Sequence, residues 1–134
     1  WAIRDDVEAK MIFRGPAIAY DISLPLRHMQ AYTEQLEQAL AEFDPNVKCV
    51  TFGHLGDGNI HLGIGPAPDK KAVNDIVYNL LTPFKGSVSA EHGIGLDKKA
   101  YLNLSRTETE IQVMKSIKAA IDPRSLMNPG KVFS

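Results

Sequence analysis

Nine residues, Gly53-His54-Leu55-Gly56-Asp57-Gly58-Asn59-Ile60-His61, constrain the fold of this chain more than any other stretch. Gly, Asp and Asn tolerate the left-handed and bridge conformations that a tight turn demands. Strand-like runs flank them, Lys48-Cys49-Val50-Thr51-Phe52 before and Ile60-His61-Leu62-Gly63-Ile64 after. The pattern predicts a β-hairpin. With Gly56 to Asn59 as a four-residue loop, Leu55 pairs with Ile60 and His54 with His61. Directly opposed residues share a sheet face with Cβ atoms about 4.5–5.5 Å apart. Two imidazoles at that spacing can share one divalent metal, although such pairs also occur as ordinary half-buried polar contacts. A calcium-binding helix-loop-helix is excluded, because the segment lacks the alternating oxygen ligands and closing Glu of that loop.

The apolar spacing on either side fills in the other elements. Trp1, Val7 and Met11 suggest a helix over 1–14, broken by Gly15-Pro16. Ala17 to Ile22 alternates as a strand, with Ile18, Tyr20 and Ile22 on one face. Pro25 fits a helix entry, and Leu26, Met29, Thr33, Leu36, Leu40 and Phe43 form one stripe ending at Asp44-Pro45. His28 falls off that stripe and reads as a surface residue. After the hairpin, Asp69 caps a helix bearing Val73, Ile76, Val77 and Leu80. Ser87 to Ala90 reads as a short strand or extended run, and a polar stretch around Lys98-Lys99 as a short helix. Thr107 and Glu110 make a capping box for a helix carrying Ile111, Met114, Ile117 and Ile121, and the tail from Leu126 is irregular.

This order predicts an α+β fold, a ferredoxin-like antiparallel sheet with helices packed on one face, in a single domain over 1–134. Ile60, Leu62 and Ile64 mark the core side of the second hairpin strand; Asn59, His61, Gly63 and Gly65 mark a polar, small face suited to a site or a partner. A net charge of −1 with mixed signs gives no electrostatic case for nucleic acid. No apolar run approaches the ~18 residues of a membrane span. Cys49 is the one cysteine, so an internal disulfide is excluded and a reducing compartment is expected. Because the chain starts at Trp1 rather than Met, it reads as part of a longer protein.

Three segments can contribute chemistry. The hairpin offers His54 and His61, the loop Ser89-Ala90-Glu91-His92-Gly93-Ile94-Gly95 offers Glu91 and His92, and the N-terminal segment offers Arg4. Two imidazoles and a carboxylate with open positions suit Zn²⁺, Mn²⁺ or Fe²⁺. If Glu91 completes that set, His92 remains free as a general base. Gly93-Ile94-Gly95 is no dinucleotide fingerprint, since Lys98 stands where the third glycine belongs. Phosphate-loop and nucleophile-elbow patterns are absent from the sequence, and Cys49 reads as a core residue.

With the hairpin motif, Ser89-Ala90-Glu91-His92-Gly93 and Met127-Asn128-Pro129-Gly130-Lys131, the chain resembles the C-terminal domain of FAD-linked oxidases of the vanillyl-alcohol oxidase type. It is most similar to their D-2-hydroxyacid dehydrogenase branch, which includes D-lactate and D-2-hydroxyglutarate dehydrogenases and the glycolate oxidase FAD subunit. Trp1-Ala2-Ile3-Arg4 and Tyr20-Asp21-Ile22-Ser23-Leu24-Pro25 extend the likeness over essentially the whole chain. The resemblance implies that His54, His61 and Glu91 bind zinc or manganese and that His92 takes the substrate hydroxyl proton. It also implies that Arg4 contacts the substrate carboxylate and that Asn128 and Asn59 lie toward the flavin. The FAD site would sit mostly on a preceding FAD-binding domain, the chain's expected partner along with a small 2-hydroxyacid. The isolated 134 residues would then be inactive. The resemblance is compatible with a homo-oligomer and with a cytoplasmic location extending to the periphery of the inner membrane.

Two departures from hydroxyglutarate enzymes bear on substrate: Ala19 stands where some have lysine, and Glu8 where they have threonine. Losing those contacts favours a monocarboxylic substrate such as D-lactate, because an unpaired buried charge costs several kcal/mol. The rival from another class is a non-catalytic module that binds a metal or a partner through the polar sheet face.

Overall fold

The computed structural model describes residues 16–133, so the helix expected over 1–14, with Arg4 and Glu8, lies outside the described residues. The elements are β1 (Ile18–Ser23), α1 (Met29–Phe43), β2 (Lys48–His54), β3 (Asn59–Gly65), α2 (Lys70–Asn79) and α3 (Glu108–Ile121). The three strands form one antiparallel sheet in the order β1-β3-β2. That order and the β-α-β-β-α succession are the ferredoxin-like connectivity. Tyr20, Ile22, Ile60, Leu62 and Ile64 lie buried on one sheet face. Tyr32, Leu36 and Leu40 from α1 and Val73, Val77 and Tyr78 from α2 cover that face. Each such side chain contributes on the order of 1.5–3 kcal/mol by leaving water. Polar tips tie the layers together: Tyr20 Oη donates to Asn74 Oδ1 at 2.7 Å and Tyr32 Oη to the Val77 carbonyl at 3.0 Å.

The helix starts follow their caps. Asp69 Oδ1 accepts the Ala72 N–H at 3.0 Å, and Thr107 and Glu110 form both halves of the capping box. Before α1 the chain winds a 3₁₀ turn over Leu26–His28, so the regular helix begins at Met29 rather than at Leu26. The ends of the expected stripe, Leu26 and Phe43, are accordingly exposed. Helix α3 departs further. Ile111 is buried, but Val113, Ile117 and Ile121 face outward, since nothing among the described residues covers them. No helix among the described residues is long and apolar enough to cross a membrane.

The segment after α2 occupies the place of a fourth strand beside β1, yet its pairing is one antiparallel bridge, Ser23 with Ser87. The Ala90 N–H is shared between the Asp21 backbone carbonyl and the Asp21 side chain, and the amides of Glu91 and His92 turn to that side chain alone. A carboxylate has replaced a strand partner, and the loop so formed carries Glu91 and His92.

Candidate functional site

The hairpin keeps a four-residue loop but places it one position earlier, over Leu55 to Gly58, which moves the strand register by two residues. Leu55–Asp57 wind into a 3₁₀ turn closed by Gly58 in the left-handed conformation. The pairs are therefore His54 with Asn59, Gly53 with Ile60 and Phe52 with His61. Gly58 is required there twice over, since it sits at φ 70° and an added Cβ would meet the Leu24 carbonyl oxygen at 2.7 Å. A shift of two residues leaves every side chain on its original face. His54 and His61 are thus diagonal rather than direct neighbours, with ring centroids 5.4 Å apart and perpendicular planes.

Asp21 projects from β1 onto this same face, opposite His61, and is 1% exposed. Its Oδ2 accepts three consecutive backbone N–H groups, from Ala90 at 3.1 Å and from Glu91 and His92 at 2.9 Å. Ser89 Oγ donates to the same oxygen at 3.1 Å, and Lys98 Nζ stands 3.5 Å away. Burial pushes this carboxyl up, but the amides of His92 and Glu91 and the Lys98 ammonium prevail and hold it at about 2. Oδ1, by contrast, has no hydrogen-bond partner.

The loop so anchored brings Glu91 over the hairpin. Glu91 Oε1 lies 2.9 Å from His54 Nδ1 and accepts a short hydrogen bond from Asn59 Nδ2. One donor atom from each of His54, His61 and Glu91 falls within 4.8 Å of the others, the ligand set expected from the sequence. His61 is the inner member with 17% of its side chain exposed, whereas His54 and Glu91 are 40% and 49% exposed, so the cluster opens to one side. Two imidazoles and a carboxylate fit a borderline divalent cation that keeps positions free for an exogenous ligand. His92 flanks the cluster, its ring nearly parallel to His61 at a centroid distance of 6.1 Å. The Nδ1 of His92 is 3.9 Å from Asp21 Oδ2, and 69% of its side chain is exposed.

The remaining candidates fall elsewhere. Asn59 is buried beneath Glu91, where its amide holds that carboxylate. Asn128 is exposed at φ 48°, accepting from Lys131 Nζ at 3.0 Å. The tail that bears it returns to the site loop, for the Val132 N–H donates to the Gly95 carbonyl at 2.9 Å. Cys49 is half-buried with its thiol pushed up by burial, and His28 packs on Phe84 away from the cluster. A cleft of about 330 Å³ between α1 and the hairpin, bordered by Met29, Thr33, Thr51 and Ile60, has no titratable group in its lining. Sequence reasoning missed Asp21 and Lys98 as parts of the site. The one available signal was an acid in the middle of a strand whose neighbours, Tyr20 and Ile22, are core residues.

Fold and site together define an α+β domain that presents an open His-His-Glu cluster, with a further histidine beside it, on the free face of its sheet. The family model described as FAD linked oxidases, C-terminal domain, matches residues 1–132, and the chain belongs to that family. It is 37% identical over 143 residues to a D-2-hydroxyglutarate dehydrogenase of Stutzerimonas stutzeri, covering 100% of this chain and 31% of that protein. It is 38% identical over 137 residues to the mitochondrial D-2-hydroxyglutarate dehydrogenase of Danio rerio, covering 99% and 25%. A D-2-hydroxyglutarate–pyruvate transhydrogenase of Saccharomyces cerevisiae is 40% identical over 142 residues, covering 98% and 29%. The chain thus spans between a quarter and a third of the length of these curated relatives.

Proposed function

We propose that this chain is the substrate- and metal-binding part of a flavin-dependent dehydrogenase that oxidises a D-2-hydroxyacid to the 2-oxoacid. The observation that carries the proposal is the convergence of His54, His61 and Glu91 within 4.8 Å beside His92, in a chain whose residues 1–132 match the FAD-linked oxidase family. His54, His61 and Glu91 would hold a zinc or manganese ion, whose open positions supply Lewis acidity toward the hydroxyl and carboxylate oxygens of the substrate. A flavin, held mostly by a preceding domain, would supply the hydride acceptor. His92 Nε2, the nitrogen away from Asp21, takes the hydroxyl proton. Arg4 binds the carboxylate with its planar guanidinium.

Two observations bear on the particular acid, and they oppose one another. The relatives are named for D-2-hydroxyglutarate, which carries a second carboxylate. Ala19 pairs with Gly63 on the site face and places no cation there, as the expectation of a monocarboxylic substrate requires. Eight relatives whose names all carry D-2-hydroxyglutarate, one as a transhydrogenase, outweigh one pair of small residues, so the monocarboxylate expectation yields to D-2-hydroxyglutarate, its second cation coming from outside this pair. The test is kcat/KM of the intact protein for D-2-hydroxyglutarate and D-lactate, with His92→Ala alongside. We expect the dicarboxylate to be preferred and the variant to lose at least 100-fold in kcat, the usual range for a general base. A variant as active as the parent would overturn the assignment of His92; no turnover of any 2-hydroxyacid would overturn the function.

A further inference from the structure

We infer that Asp21 is the positioning residue of this site, a single buried carboxylate that sets both the place of Glu91 and the ligating nitrogen of His61. Two independent observations converge on it. Its Oδ2 gathers the N–H groups of Ala90, Glu91 and His92, so the loop carrying one metal ligand is fastened to the middle of β1. Its Oδ1 is buried, unpartnered and 3.9 Å from Nδ1 of His61, the ligand contributed by the neighbouring strand. A carboxylate accepts and never donates. At this distance Oδ1 is not hydrogen-bonded to the ring, but as the acceptor facing it Asp21 favours the neutral His61 tautomer with its proton on Nδ1, which leaves the Nε2 lone pair for a cation. A small closing movement would complete the outer-shell hydrogen bond that fixes tautomer and ring orientation in histidine-ligated metal sites. Asp21 touches neither cation nor substrate here and acts through Glu91 and His61. The inference rests on the metal reading proposed above, but its structural half does not need the metal.

The Asp21→Asn change separates the two halves. Its amide oxygen can still accept the loop N–H groups, which turns the amide NH₂ toward His61. A donor at that point favours the opposite tautomer, with the proton on Nε2 where the cation must bind. Imidazole ¹⁵N spectra of the metal-free chain at pH 8 report the tautomer directly, and zinc titration by calorimetry reports affinity. We expect Nδ1–H at His61 in the parent, a swing toward Nε2–H in the variant, and zinc affinity reduced about 10–100-fold, the usual range for loss of an outer-shell partner. Zinc affinity within twofold of the parent with the tautomer unchanged would overturn the inference. If the variant does not fold, the parent spectrum alone decides: a predominant Nε2–H form of His61 rules out the role of Asp21. If the parent binds no zinc, the metal reading fails, while the tautomer comparison still judges Asp21.

Discussion

Asp21 holds the largest electrostatic stake of any single residue in the site. Its carboxyl is held at about 2, against an ordinary value near 4, because amide and ammonium donors outweigh burial. A depressed folded-state value means that the stabilisation is complete above the unfolded value and is lost as pH falls through the folded one. The contribution is on the order of 2 kcal/mol and disappears between about pH 4 and pH 2. Urea unfolding of the chain at pH 5 and at pH 2.5 should show this loss in the parent and a much flatter profile in Asp21→Asn. Equal pH slopes for the two would show that the carboxylate is not ionised in the fold. The residue was not legible as a site member beforehand, because burial of a strand acid depends on a loop almost 70 positions away closing over it, a contact that no local pattern reports.

At the scale of elements, the hairpin shows which errors matter. The predicted and observed loops both hold four residues, but Leu55-Gly56-Asp57 coil into a 3₁₀ turn closed by Gly58, so the loop starts one residue earlier and the register moves by two. Side-chain period along a strand is two, so that error changed partners and spared faces. The candidate pair of histidines survived; a one-residue error would have put them on opposite sides. The observed register also explains Gly53, where an added Cβ would lie 2.4 Å from the Asn59 carbonyl oxygen across the ladder. Gly53→Ala should destabilise the chain by about 1–3 kcal/mol, the usual range for overpacking, and weaken metal binding by moving His54. Chemical denaturation checks the first effect, and a variant as stable as the parent would show that the strands can separate at no cost. Helix α3 illustrates the opposite limit. Its caps and stripe were plain in the sequence, but periodicity identifies an apolar face without saying what covers it, and Val113, Ile117 and Ile121 remain exposed here.

At the scale of the whole molecule, ferredoxin-like connectivity brings the two sequence motifs together. The hairpin places His54 and His61 on the sheet face opposite the helices, and the truncated fourth strand delivers Glu91 and His92 to the same face. Strand alternation foretold that face, whereas the meeting of hairpin and loop depends on the sheet order, which no single stretch of sequence encodes. The claim on which the functional account turns is that this meeting makes a divalent metal site. Calorimetric titration of the chain with Zn²⁺ and Mn²⁺, compared with the His54→Ala/His61→Ala double variant, tests it most directly. The account predicts one ion per parent chain, affinity that falls from pH 8 to pH 5 as the imidazoles protonate, and no specific binding to a folded double variant. Full binding by the double variant, or an affinity flat across that pH range, would contradict it.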